Sequence, residues 1–306
     1  MRAVTYSAFS DDNSTLEVRE VDPPKVAASA VLIKVHAASV NPVDWKLLAG
    51  ALDAMMDTIF PAIPGWDVAG TVLAVGPDTP EFAPGDEVLA YARKEVNHGG
   101  TFAEQVAVPA VAVARKPAGL PWEQAAGLPL AGGTALRSLD RVQLTEGQTV
   151  LIHGAAGGVG SLGVQLAVAR GARVIGTASP RNHDFLAGLG AEPVAYGEGL
   201  ADRVRALAPD GVDAVADFVG GQLEATLAVL RPGGRHVSIV DPAVQEHGGS
   251  IVWVRPDGAE TARLAELAAA GKLRVEIAGT FGLDRVGEAF DLSRAGHTRG
   301  KLIIVP

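Results

Sequence analysis

The segment Gly154-Ala155-Ala156-Gly157-Gly158-Val159-Gly160 constrains this chain more than any other. It directly follows the apolar run Val150-Leu151-Ile152-His153. It directly precedes Gly158 to Arg170, where apolar residues recur at helical spacing. Glycine lets a backbone turn sharply and removes the Cβ that would keep a diphosphate away. The helix start adds unpaired N–H groups and a partial positive charge. The string departs from the strict GxGxxG pattern, with alanine at the first glycine of the usual spacing, so its weight comes from context.

That context is a regular alternation. Strand patterns at Thr149 to His153, Ala172 to Thr177, Glu192 to Tyr196, Val212 to Val219 and Arg235 to Val240 are separated by helical patterns. The helical stretches are Gly158 to Arg170, Asn182 to Leu189 and Gln222 to Leu230. Repeated βαβ units predict an α/β fold, a Rossmann-type doubly wound parallel sheet with helices on both faces.

The first third reads differently. Val31 to Val35, Gly70 to Gly76, Phe82 to Val88 and Phe102 to Val108 are short strand patterns punctuated by proline and glycine, which predicts a compact, barrel-like β region. Trp122 to Ala126 is helix-prone. After the alternating region come a helical Glu260 to Ala270, strand-like Arg274 to Ile277, helical Val286 to Ala295 and a final strand Lys301 to Val305. This tail is expected to pack back on the β-rich region. At 306 residues the chain suits two domains.

With no cysteine among its residues, the chain has no disulfides and no zinc site built on thiolates. None of the seven histidines pairs with another at metal-binding helical spacing, so no metal is expected. A net charge of −9 argues against nucleic acid and anionic membranes as partners. The N-terminus lacks a signal-peptide core and no apolar run is long enough for a bilayer, so a cytoplasmic protein is expected.

Cofactor choice is read at the end of the second alternating strand. NAD-binding sheets place a carboxylate there for the ribose 2′-hydroxyl. Here Arg173-Val174-Ile175-Gly176-Thr177 runs into Ala178-Ser179-Pro180-Arg181-Asn182 with no carboxylate. Ser179 and Arg181 suit a 2′-phosphate, so NADPH is favoured over NADH.

Several motifs together resemble the zinc-independent medium-chain dehydrogenases/reductases, in particular the quinone oxidoreductases. They are His153 to Gly160 with Gln165-Leu166-Ala167, Asn41-Pro42-Val43-Asp44-Trp45, Pro64 to Gly70, Pro84 to Val88, Leu128 to Ala135 and Gly300-Lys301-Leu302. The resemblance spans nearly the whole chain, in family order. It implies a GroES-like β-barrel catalytic domain from residues 1–118 and 271–306, a Rossmann domain at 119–270, and an active site in the cleft between them. It puts Asn41 and Asp44 at the substrate and nicotinamide, and Thr134 beside the cofactor. Gly154, Ala156, Gly157, Gly158 and Val159 would hold the diphosphate, and Ser179, Arg181 and Tyr196 the adenosine side. Phe218, Val219, Gly220, Ser238 and Ile239 would lie near the nicotinamide ribose, with Arg299 and Lys301 near the cofactor. Zinc enzymes of this superfamily carry Gly-His-Glu where this chain reads Gly65-Trp66-Asp67.

Without zinc, the substrates best suited to direct hydride transfer are quinones and other conjugated carbonyls, whose conjugation stabilises the anion formed. Asn41 would hydrogen-bond the acceptor oxygen, with the proton from solvent or from Tyr91. Each residue also has a plainer use. Asn41-Pro42 can start a turn, Asp44 can cap a helix, Tyr91 can be a half-buried strand residue and His153 a buried hydrogen-bonded one. Two other functions compete: reduction of enoyl or alkenal substrates with the same cofactor, and a non-catalytic NADPH-binding structural role. Ser161 lacks the spacing of a hydrolase nucleophile. The apolar Ile251-Val252-Trp253-Val254 suggests an edge strand that pairs two copies into a homodimer.

Overall fold

The computed structural model describes all residues, Met1–Pro306. The chain divides into two compact units, one of Met1–Leu130 with Arg255–Pro306 and one of Ala131–Val254.

The second unit is built on a six-stranded, wholly parallel sheet. Its order in space is Ala191–Ala195, Arg173–Ala178, Thr149–His153, Val212–Asp217, Leu230–Ser238 and Ser250–Ile251. The chain therefore starts at the centre, winds to one edge, returns, and winds to the other. Thr149–His153 and Val212–Asp217 are neighbours from which the connections diverge, the place where doubly wound sheets bind ligands. Val150, Leu151 and Ile152 are fully buried, as a strand covered on both faces requires.

Some elements differ from the sequence reading. The strand read as Val212 to Val219 stops at Asp217, whose Oδ1 accepts the N–H groups of Val219 and Gly220 and turns the chain. The strand read as Arg235 to Val240 runs Leu230–Ser238. Leu200–Leu207 is an additional helix. So is Pro129–Arg141, whose signal Gly132 and Gly133 weaken.

The first unit is organised by the long strand Ala30–Val40. One path of strands runs Ile277–Phe281, Lys301–Ile304, Ala30–Val40, Asp67–Val75, Glu87–Tyr91 and Val113–Arg115, and Gln105–Pro109 also pairs with Ala30–Val40. The C-terminal tail thus returns to the N-terminal sheet: Leu302 stands opposite Val40, and Ser39 opposite Asp67. The core beneath includes Tyr6, Ile33, Phe102, Phe290 and Ile304. Arg274 to Glu276, read as strand-like, is outside the ladder, which begins at Ile277. The reason is local: Gln124 Nε2 donates to the Val275 carbonyl and Gln124 Oε1 accepts the Val275 N–H, both at 2.8 Å, so a side-chain amide occupies this backbone. No helix is long and apolar enough to cross a membrane.

Candidate active site

The glycine turn lies at the end of Thr149–His153, the central strand. Gly154 has φ +67°, a conformation that favours glycine. Its N–H donates to Thr177 Oγ1, and the Ala155 N–H to the Thr177 carbonyl, which ties the turn to the second strand. A Cβ on Gly160 would lie 2.2 Å from the Gly154 carbonyl oxygen, so only glycine lets the helix Gly158–Ala169 sit this close. The helix has Gly157 at its N-cap and no side-chain cap. Its first N–H groups, which no helix can satisfy internally, are left for an anion.

The surrounding residues are arranged by the sheet. At the end of the second strand come Ser179 and the exposed Arg181, and beyond the third strand Tyr196 is 55% exposed. Beyond the fourth, Val219 is 58% exposed, and the Phe218 ring packs toward Gly163 in the glycine-turn helix. Asp217 shapes this end: it turns the Val219-Gly220 backbone and accepts the Ser238 hydroxyl on Oδ2 at 3.0 Å. Ser238 Oγ also accepts the N–H groups of Val240 and Asp241, so its hydroxyl is wholly used within the protein, and Ile239 beside it is half-buried. Thr134 is buried within Pro129–Arg141. His153 is buried and 3.3 Å from Thr226 Oγ1; burial pulls its pKa down to about 4, against the nearby Asp217, and keeps it neutral.

The first unit gathers a second set of residues. Asn41 directly follows the long strand and caps the helix Pro42–Leu48, with Asp44 Oδ2 accepting the Asn41 N–H at 2.8 Å. The Asn41 amide donates from Nδ2 to Asp67 Oδ2 at 2.9 Å and accepts Lys301 Nζ on Oδ1 at 2.6 Å. Its other Nδ2 contact is the Ser39 carbonyl at 3.4 Å. Asp67 further accepts Ser39 Oγ and the Leu130 N–H, each at 2.8 Å. Lys301 Nζ also donates to the Val40 carbonyl and lies 3.8 Å from Asp67 Oδ2. Tyr91 stands directly opposite Asp67 in the neighbouring strand, buried, its ring 5.9 Å from that of Trp66.

Asp44, Asp67 and Lys301 are all buried. Burial raises the Asp44 pKa to about 8, the Asn41 N–H and Lys301 opposing and Asp67 adding to the rise. Asp44 is therefore a neutral acid near pH 7, and its Oδ1 has no hydrogen-bond partner. Burial also raises Asp67 and lowers Lys301, each restrained by the other's opposite charge.

Of the residues singled out from sequence, Asn41 and Asp44 are thus together, and Tyr91 stands across the strand from their neighbour Asp67. Lys301, placed near a cofactor by resemblance, has its ammonium within this cluster, and Arg299 is exposed and paired with Glu276 at 2.8 Å. Asp67, at the centre of this cluster, was not singled out from sequence. Its signal was an acid in the apolar run Trp66-Asp67-Val68-Ala69, matched by a lysine opening the equally apolar final strand.

Comparison with known proteins fits this geometry. Residues 27–118 match the model of the alcohol dehydrogenase GroES-like domain, and residues 189–304 that of the zinc-binding dehydrogenases. An NADPH-dependent alkenal/one oxidoreductase of Arabidopsis thaliana is 34% identical over all of this chain and 80% of its own length. Quinone-oxidoreductase QR1 of Triphysaria versicolor is 30% identical over all of this chain and 98% of its own. The structure of the quinone oxidoreductase from Coxiella burnetii superposes with a TM-score of 0.89, at 34% identity, covering 100% of this chain and 99% of that one. The chain belongs to the medium-chain dehydrogenase/reductase family, in its quinone oxidoreductase branch. It is an oxidoreductase that uses a nicotinamide cofactor. The uncapped helix start behind Gly154–Gly158 fits the diphosphate of such a cofactor.

Proposed function

We propose that this chain is an NADPH-dependent reductase of quinones and similar conjugated carbonyls, working by direct hydride transfer. The observation that carries the reading is the uncapped glycine turn at the sheet's switch point, followed one strand over by Ser179 and Arg181 in place of a carboxylate. The dinucleotide, when bound, supplies the hydride. The glycine-turn helix holds its diphosphate, and Ser179 and Arg181 read its 2′-phosphate. Asn41 donates to the acceptor oxygen as negative charge builds there. The completing proton comes from solvent or, less directly, from Tyr91, whose ring packs beside that of Trp66.

Oxidation of NADPH and NADH is to be compared over a panel of quinones and enones, with and without a chelator. NADPH should be preferred, the chelator should have no effect, and Arg181→Ala should raise KM for NADPH about tenfold, the scale of one charge-assisted hydrogen bond. Asn41→Ala should lower kcat about a hundredfold, as removal of an oxyanion donor does, with little change in cofactor affinity. A preference for NADH, or equal turnover in Asn41→Ala, defeats the assignment. The enone reading is supported by the 34% identity to the alkenal/one reductase, the same as that to the Coxiella quinone oxidoreductase, and the same panel separates the two. The edge strand read as Ile251 to Val254 is Ser250–Ile251, followed by the exposed Trp253, and this edge is where a second copy would pair in a homodimer.

A further inference from the structure

We infer that Lys301 and Asp67 form a clamp that fixes and polarises the Asn41 side chain, which makes both positioning residues for the reduction proposed above, on which this inference rests. The orientation of the amide follows from what its neighbours can do. An ammonium only donates, so Asn41 Oδ1 must face Lys301. That leaves Nδ2 facing Asp67 Oδ2, which accepts from it. The clamp is itself held: Ser39 Oγ and the Leu130 N–H also donate to Asp67, and the Val40 carbonyl takes another hydrogen of Lys301.

Two distances favour this over a buried pair that merely neutralises itself. Lys301 Nζ is 2.6 Å from the Asn41 oxygen but 3.8 Å from the nearest Asp67 oxygen, so the lysine is spent on the amide more closely than on its counter-charge. And the second amide hydrogen reaches only the Ser39 carbonyl at 3.4 Å, the loosest contact of the set. That hydrogen is the one an acceptor oxygen can take over. An ammonium on the amide oxygen draws electron density from the nitrogen and strengthens this N–H as a donor, because linked hydrogen bonds polarise one another. In a chain with no cysteine, the cation acts on the acceptor oxygen at one remove, through an amide.

Comparing Lys301→Met and Asp67→Asn, singly and together, tests the clamp. Each single variant leaves a buried charge uncompensated and should lose thermal stability; the double variant buries neither charge and should recover it. Its kcat should nevertheless stay about tenfold or more below that of the parent, with KM for NADPH within about twofold, as expected when a transition-state donor is weakened. Asn41→Ala added to the double variant should cost little more. Recovery of kcat along with stability in the double variant overturns the proposal. Should the double variant not fold, Lys301→Arg decides: it keeps the charge but displaces the donors, so lowered kcat supports the clamp and unchanged kcat overturns it. The side-chain amide resonances of Asn41 give a readout that needs no turnover. A large shift on Lys301→Met supports the clamp and an unmoved pair overturns it, even if the parent enzyme reduces no acceptor and the proposed function itself fails.

Discussion

A carboxyl group that keeps its proton at neutral pH leaves a mark on stability. Asp44 titrates at about 8 in the folded chain and near 4 when unfolded. Between those values the folded state binds the extra proton. The stabilisation is therefore complete below about pH 4 and is lost as pH rises through 8, with a limiting slope of about 1.4 kcal/mol per pH unit. His153 acts in the opposite sense, since its folded value of about 4 lies below the unfolded one: its contribution is present above pH 6.5 and lost as pH falls through 4. The two oppose each other between pH 4 and 6.5, so the Asp44 slope should stand clear above 6.5. Asp44→Asn imitates the neutral acid and can still accept the Asn41 N–H. Urea midpoints measured from pH 6.5 to 8.5 should fall toward alkaline pH in the parent and stay flatter in Asp44→Asn. Equal slopes would show that the buried acid is ionised. That Asp44 stands beside Asn41 and caps the helix was legible in Asn41-Pro42-Val43-Asp44. Its protonation was not, because that depends on burial beside Asp67 and Lys301, which are far away in sequence.

At the scale of the element, the strand–turn–helix of Val150 to Ala169 was fully legible, because three signals coincide: an apolar run, glycines at the turn, and helical spacing after it. Its most exacting residue is Gly160. Alanine there would set Cβ 2.2 Å from the Gly154 carbonyl, and that backbone cannot move without displacing the turn. Gly160→Ala should cost about 1–3 kcal/mol of stability, the range of overpacked positions. It should also weaken NADPH binding more than Gly188→Ala, where a Cβ meets nothing within 4 Å. Calorimetric titration of both variants checks this, and equal affinities would free the close approach of any role. Less was legible where periodicity is faint. Leu200–Leu207 is one short amphipathic turn pair set among Gly197, Gly199 and charged residues. Pro129–Arg141 hides behind its glycines. Arg274 to Glu276 looked like strand because its side chains suit one, while the backbone partner of Val275 is the Gln124 amide, a contact no local pattern announces.

The two units differ in how they close. The first needs both ends of the chain, since Lys301–Ile304 lies between Ala30–Val40 and Ile277–Phe281, and removing it would leave Asp67 buried without its cation. The second draws all six strands of its sheet from a continuous stretch, and its glycine turn, Ser179, Arg181 and Tyr196 lie in that stretch too. A parallel sheet with its own crossover helices contains everything needed to bury its core. Residues 129–254, which keep the helix Pro129–Arg141 whole, should therefore fold cooperatively when expressed alone and bind NADPH, while reducing neither quinone nor enone because Asn41 and Lys301 are missing. Chemical denaturation and calorimetry on this fragment test the division directly. Cooperative folding without nucleotide affinity would place essential cofactor contacts on the other unit and break the assignment of the glycine turn. Failure to fold would mean that the sheet depends on surface supplied from outside its own strands.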